Sequence, residues 1–393
     1  MSRYPCRPNG RLSAIIAIVE PPVPAESLSQ LARRMIDPAS PAAMRQMASK
    51  GVAPGLKPGE ALTVVALLSE GADQDVAATA RATLGKLPEP LVNGALAGDL
   101  AAGVLALIAP MYARNASIIY RILAHASITP ETVAAVAAVA SEEVAELVAT
   151  NEQRLLAHPA IIEKLYMNKA TRMSTADRIL ELAVRNKVEL NGIPAYKEAA
   201  IAIGQELIVE ASEEPTPDDL LFVETGIVAE KIVLDPARED THRIDDEKGE
   251  EVLDDKFLPL YAQLAKMTIS QKIRRAMLGN AAERLLLVRD SNRLVAQAAI
   301  KSPSIQENEV VRISASRSVS EDVLRAIALD REWTRSHQVK VNLVSNPRTP
   351  FAFASRLIIH LRESELKGLA KSKNVSGAVA KAAKQQLERK GVG

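Results

Sequence analysis

The chain has 393 residues, enough for two or three domains or for one long repeat array. Apolar residues make up 47% but aromatics only 3%, so the interior must be built from Ala, Leu, Val and Ile, which suits close-packed helices better than sheets. A single cysteine, Cys6, excludes an intramolecular disulfide and a thiolate zinc cluster, and a net charge of +1 hides a strong segregation of charge along the chain.

Residues 1–25 read as an N-terminal tail. Arg3, Arg7 and Arg11 precede the apolar run Leu12–Val19, which has the outline of a weak export signal. Glu20 ends that run and no small-x-small cleavage site follows closely, so the expectation is a cytoplasmic protein. No apolar stretch approaches the length of a membrane span. Residues 26–209 then read as a block of short helices. "ESLSQLARRMI" stops at Asp37-Pro38 and "PAAMRQMASK" at Gly51. "GEALTVVALLSEG", "QDVAATARATLGK", "EPLVNGALAG" and "DLAAGVLALIAP" follow, each bounded by Gly or Pro. "ASIIYRILAHA", "PETVAAVAAVA" and "SEEVAELVATNEQRLLAH" continue in the same style, with apolar residues three and four apart, the spacing of a helix with one buried stripe.

One turn recurs. "LAHASITP" (123–130), "LAHPAI" (156–161), "MNKATRMS" (167–174), "AIKSPSIQ" (299–306), "ISASRSVS" (313–320), "LVSNPRTP" (343–350) and "LAKSKNVS" (369–376) each join two apolar runs. Thr129-Pro130 and Thr349-Pro350 place a capping hydroxyl before a residue that suits the first helical position. Ser174 with Asp177, and Ser304 with Glu307, have the spacing of a capping box, while Ser320 and Ser376 are caps without the reciprocal acid. Helices of about 8–12 residues are marginal alone in water. Each pair must therefore stack on its neighbours, which is the logic of an α-solenoid.

"LVSNPRTPFAFASRLIIHL" resembles the leucine-rich-repeat-variant and HEAT-like helical repeats of bacterial proteins, in which an Asn-Pro-x-Thr-Pro turn separates stacked helices. The resemblance is best over roughly 280–385 and weaker over 120–185. It implies an all-α fold of stacked short helices and a role as a protein-binding scaffold or, in the HEAT-like case, a nucleic-acid binder.

Residues 210–256 hold 17 acidic and 5 basic side chains, a net of −12, and their apolar residues fall in the islands "LLFV" and "IVAEKIVL". That density predicts a mobile linker whose islands dock only when a surface is offered. Residues 257–393 carry 24 basic and 11 acidic side chains, a net of +13, and form the second helical-repeat block. The expected fold is thus all-α and solenoid-like, in two blocks joined by an acidic linker. The near-equal charges have two readings: a tethered, solvated acidic chain that raises solubility, or a linker that lies against the basic block and competes with an acidic partner.

Catalytic motifs are missing from the sequence. There is no phosphate-binding loop, no His-Glu-x-x-His and no Gly-x-Ser-x-Gly. "GALAGDLAAG" follows no strand and reads as close helix packing. His125 and His158 hold similar turn positions and read as structural; Glu142-Glu143 and Asp245-Asp246 read as surface charge. The expectation is no enzyme activity, no cofactor and no metal. The candidate partner-binding residues are Arg331, Trp333, Arg335, Lys340 and Arg348 around the one tryptophan, with Arg289 and Arg293 in the same block. Trp333 reads either as a plug between repeats or as the centre of an Arg–aromatic surface. The leading function is a non-enzymatic protein-interaction scaffold, with an acidic or extended protein partner. The alternative is nucleic-acid binding by the basic C-terminal block.

Overall fold

The computed structural model describes residues 23–24, 27–208, 210, 212, 214–245, 250–372 and 374–391. Apart from Val23 and Pro24, the expected tail and its apolar run lie outside the described residues. The fold is all-α: 24 α-helices and two three-residue strands among the described residues. The chain divides into two compact units between Val139 and Ala140, and not at the acidic segment 210–256 where the sequence suggested a junction.

The first unit holds α1 (Gln30–Ile36), α2 (Ala42–Ser49), α3 (Pro58–Ser69), α4 (Gln74–Leu84), α5 (Glu89–Leu96), α6 (Ala102–Ile108), α7 (Ala116–Leu123) and α8 (Pro130–Val139). The Gly and Pro punctuation marks these boundaries well: α1 ends at Asp37, and Gly51, with φ of 77°, takes the left-handed conformation past α2. The core is aliphatic, as in α7, where Ile118, Ile119, Ile122 and Leu123 form one buried stripe. Each such side chain contributes about 1.5–3 kcal/mol on full burial.

The second unit begins with α9 (Glu142–Ala149) and α10 (Glu152–Ala157), where the sequence suggested one run. Asn151 accepts a hydrogen bond from the Arg154 N–H at 2.9 Å and so starts a new helix inside it. There follow α11 (Pro159–Met167), α12 (Met173–Arg185), α13 (Tyr196–Ile203) and α14 (Pro217–Glu230). An antiparallel pair, β1 (His242–Ile244) and β2 (Glu251–Leu253), sets His242 opposite Leu253 and Ile244 opposite Glu251. Then come α15 (Leu258–Lys266), α16 (Ile269–Leu278), α17 (Ala281–Leu287), α18 (Arg293–Ile300), α19 (Glu307–Ala315) and α20 (Glu321–Leu329). The unit closes with α21 (His337–Ser345), α22 (Phe351–Ile358), α23 (Glu363–Lys371) and α24 (Gly377–Arg389).

Side chains tie successive layers at a regular separation. In the first unit Arg45 pairs with Asp73 at 3.1 Å and the Tyr112 hydroxyl donates to the Leu84 carbonyl at 2.6 Å, each across 28 residues. In the second unit Asn168 donates to the Ala140 carbonyl across 28 residues, Lys390 to the Leu361 carbonyl across 29, and His337 meets Glu365 across 28. Two turns repeat in detail. Asn168 and Asn346 are both buried, and each donates its amide to a carbonyl of the preceding layer. Each also accepts an N–H from two residues on, at 2.9 and 3.0 Å. The layer is therefore about two helices long, and the turns noted in the sequence include half-layers.

The capping assignments divide. Thr129 caps α8, accepting from the Thr132 N–H, and Ser376 caps α24, accepting from the Val379 N–H. Ser320 stands at the N-cap of α20 without a side-chain cap bond. Thr349 does not cap, because α22 starts a residue later with Pro350 as its N-cap. The Ser174–Asp177 and Ser304–Glu307 boxes do not form: α12 starts at Met173, and α19 is capped by the pair Gln306 and Glu309.

The acidic segment departs most from expectation. Helix α14 opens with a capping box between Thr216 and Asp219. The buried Asp219 carboxylate also accepts the Ser174 N–H at 2.8 Å and the Ser174 hydroxyl at 2.9 Å, stitching α14 to α12. Burial pushes this carboxyl up, but hydrogen bonds from Ser174 and Thr216 more than offset that and hold it below the usual range. Further on, Arg289 takes Asp240 at 2.8 Å and Arg312 donates to the Ala237 carbonyl at 2.8 Å. Glu251 receives the Ser316 and Ser318 hydroxyls at 2.6 and 2.7 Å. The described part of 210–256 is folded and lies against the basic region. Its charge density misled because several of its acids are bonded inside.

Candidate interaction surface

The seven cationic and aromatic candidates do not form one patch. Arg289 follows α17 with its side chain 4% exposed, donating to Asp240, Thr241, Ser318 and the Leu285 carbonyl. It is an internal clasp for the acidic segment. Arg293, at the start of α18, pairs with Asp322 at 2.9 Å, and Arg348 donates to the Val319 carbonyl at 3.4 Å. Both therefore sit at the N-terminal end of α20. Arg331, Trp333 and Arg335 lie in the turn at its other end, roughly 13 Å away along a nine-residue helix. Arg335 pairs with Glu332 at 2.7 Å, Arg331 is exposed, and Trp333 and Lys340 are half-buried. Trp333 is thus half-buried and not sealed in the core, and the candidates divide between the two ends of α20.

Arginine does its densest work inside the second unit. The Arg274 guanidinium is fully buried and donates to the carbonyls of Tyr166, Asn168, Thr171 and Arg172 at 2.8–3.3 Å. Those acceptors run from the last turn of α11 through the turn before α12, so α16 pins that junction from within. Burial pulls Arg274 down to about 10, still charged at neutral pH. The Phe222 ring of α14 lies 4.9 Å from the guanidinium carbons of both Arg274 and Arg275. Arg275 pairs with Glu283, and Arg284 grips Glu309 with two bonds of 2.8 Å. Gly279 lets α16 turn into α17, because a Cβ there would stand 2.6 Å from the Arg275 carbonyl oxygen.

Two further features test a chemical reading. Asp177 on α12 accepts the Ser270 hydroxyl at 2.5 Å, while Glu206 accepts the Ser270 N–H at 2.9 Å. Burial pushes Asp177 up to about 7, opposed by the Ser270 bond and reinforced by the Glu206 charge. The pair closes the start of α16. In the first unit a half-open cavity of about 200 Å³ is lined by Leu56, Leu62, Val65, Leu87, Leu91 and Val92, with Gly51, Pro58 and Ala61. That lining has no polar side chain to orient a substrate. Among the described residues no cluster of His, Cys, Asp or Glu is arranged to hold a metal, and no helix is long and apolar enough to cross a membrane.

The sequence reading missed the outer face of α14. Its inward row is Asp219, Phe222, Thr225 and Ala229, and its outward row is Leu220, Val223 and Ile227 at i, i+3 and i+7. The signal was present in the two apolar islands, whose spacing fits a helix once the segment is allowed to fold. Comparison of the chain with protein-family models gives no match, and neither does comparison with curated proteins.

Proposed function

We propose that the chain is a non-enzymatic protein-interaction scaffold of HEAT-like character, presenting stacked helices to a protein partner. The observation that carries this reading is the ladder of side-chain ties between layers 28 or 29 residues apart. A stack pinned at each layer offers a stiff, shallow surface, which suits extended ligands better than small ones. The reading is supported further by how the polar groups are used. The buried charged groups Arg274, Arg284 and Asp219 are bonded within the stack. Nucleic-acid binding by the C-terminal region is the weaker reading, because Arg289, Arg293 and Arg335 are already paired with acids.

The test is capture by the immobilised full chain from lysate, with and without nuclease treatment. A protein retained in near-stoichiometric amount is the expected result. Retention that disappears with nuclease, or that consists of nucleic acid alone, would overturn the scaffold assignment.

A further inference from the structure

We infer that the outer face of α14, with the adjoining α15, is the docking site for a basic amphipathic helix of a partner protein. This rests on the scaffold reading and names its site. A helix packed on a protein ordinarily turns a polar face to water. Helix α14 does not: Leu220, Val223 and Ile227 are 54%, 54% and 49% exposed. Helix α15 packs against it and carries Leu258 and Tyr261, 47% and 54% exposed, also at i and i+3. Two adjacent helices each present an apolar row, and a third helix is the shape that packs on such a pair.

Charge selects the occupant. Residues 210–230 contain seven acids and no Lys or Arg. Asp219 is bonded inside, while Glu224 and Glu230 are exposed on α14 beside the apolar row and Glu210 and Glu214 are exposed in the chain before it. Cations near it lie beneath or at the ends. Beneath are Arg274 and Arg275 under Phe222, and Arg172 is bonded to Glu142 and the Ser212 carbonyl. At the ends are exposed Lys231 just past α14, Lys256 engaged with Glu239, and exposed Lys266 closing α15. An acid-rimmed apolar face repels nucleic acid and anionic lipid surfaces. It also opposes a second copy through the same face, which would set acid rim against acid rim. It matches a helix with apolar anchors at i, i+3 and i+7 flanked by Lys or Arg.

The platform is rigid before anything binds. Helix α14 is held by the Thr216–Asp219 box, by Ser174, by Phe222 beside the guanidinium groups of Arg274 and Arg275, and by Asn280, which donates to the Ala229 carbonyl at 2.8 Å. None of those contacts uses Leu220, Val223 or Ile227, so the ordering entropy of the site is spent in folding.

The experiment uses the full chain and a fluorescent designed peptide with Leu at i, i+3 and i+7 and Lys on the flanks. A scrambled peptide of the same composition is the control, and anisotropy at low salt is the readout. Saturable binding of the patterned peptide, with the scrambled one weaker by about tenfold or more, is expected. The variant Leu220→Ser/Val223→Ser/Ile227→Ser should lose about tenfold or more in affinity with its circular dichroism unchanged. Glu224→Lys/Glu230→Lys, which leaves the apolar row intact, should weaken binding and flatten its salt dependence. Equal binding of both peptides, or indifference to both variants, overturns the inference. So does a wild-type dimer in sedimentation that the triple variant abolishes, since the occupant is then a second copy. If the full chain captures a protein partner and the triple variant captures it equally, the scaffold reading stands and this face is not its site.

Discussion

The segment 217–256 and the stretch 328–348 both belong to the second unit, and they use charge in opposite ways. In the first, Asp219, Asp240 and Glu251 each meet donors from distant elements, and what is left outside is an apolar row with an acidic rim. In the second, Arg335 pairs with its near neighbour Glu332, Arg331 is exposed, and Arg348 reaches one carbonyl. Charge bonded inside builds an element and releases its apolar side chains to the surface. Charge left outside is screened, and an exposed pair contributes about 0–1 kcal/mol.

The sharpest way to break this contrast is to remove the cation beneath α14. Arg274→Met leaves the carbonyls of Tyr166 and Thr171 without their donor, strips Asn168 to its bond from the Thr171 N–H, and takes one guanidinium from Phe222. Loss of about 2–4 kcal/mol in urea unfolding is expected, from about 1–3 kcal/mol for each buried carbonyl left unsatisfied. A loss under about 1 kcal/mol would show that the buried guanidinium is not what seats this segment.

Asp219→Ala should act more locally. It removes the reciprocal cap and both bonds to Ser174, for about 2 kcal/mol, and should expose amides of α14 to hydrogen exchange before the rest of the unit. Unchanged protection across 217–230 would mean that Phe222 and Asn280 hold the helix without this cap.

A third measurement concerns Asp177, beside the same junction. Its folded value of about 7 lies above the ordinary 3.8, so the folded chain holds a proton that the unfolded chain releases. The associated stability is complete below pH 3.8 and is lost as pH rises through about 7. Stability should fall by up to about 1.4 kcal/mol per pH unit within that window. Asp177→Asn should flatten this dependence and raise the thermal midpoint at pH 8 relative to the parent; an unchanged slope would assign the effect elsewhere.

The smallest effect is expected on the other side of the comparison. Replacing Arg331, Arg335 and Lys340 together with Ala should shift stability by no more than about 0.5 kcal/mol per site, because none of them anchors a layer. The wild-type chain should show no salt-sensitive binding to DNA or RNA. Clear binding at low salt that this triple variant removes would restore the nucleic-acid reading.

The same contrast explains what could be seen in the letters. Thr129-Pro130 and Ser376 were legible as caps, because a cap depends on residues three positions apart. Ser174 was misread, since its hydroxyl faces an acid 45 residues away and not the nearby Asp177. The candidate cations were chosen by proximity in sequence, but α20 carries Arg348 and Trp333 to opposite ends. The islands "LLFV" and "IVAEKIVL" were legible as apolar elements able to dock, but which of their side chains face outward depends on the contacts of Asp219 and Phe222 with distant residues.

By itself the sequence determined the helical class, many of the helix ends and the need to stack, since propensity, punctuation and apolar spacing are local and strong. The layer spacing, the burial of Arg274 and the docking of α14 were decided only in the tertiary structure. Each depends on a donor and an acceptor far apart in the chain, as with Arg274 and Asn168, 106 residues apart. A charge in a sequence has no stated environment, and whether it is solvated or bonded inside depends on which surface the fold brings to it.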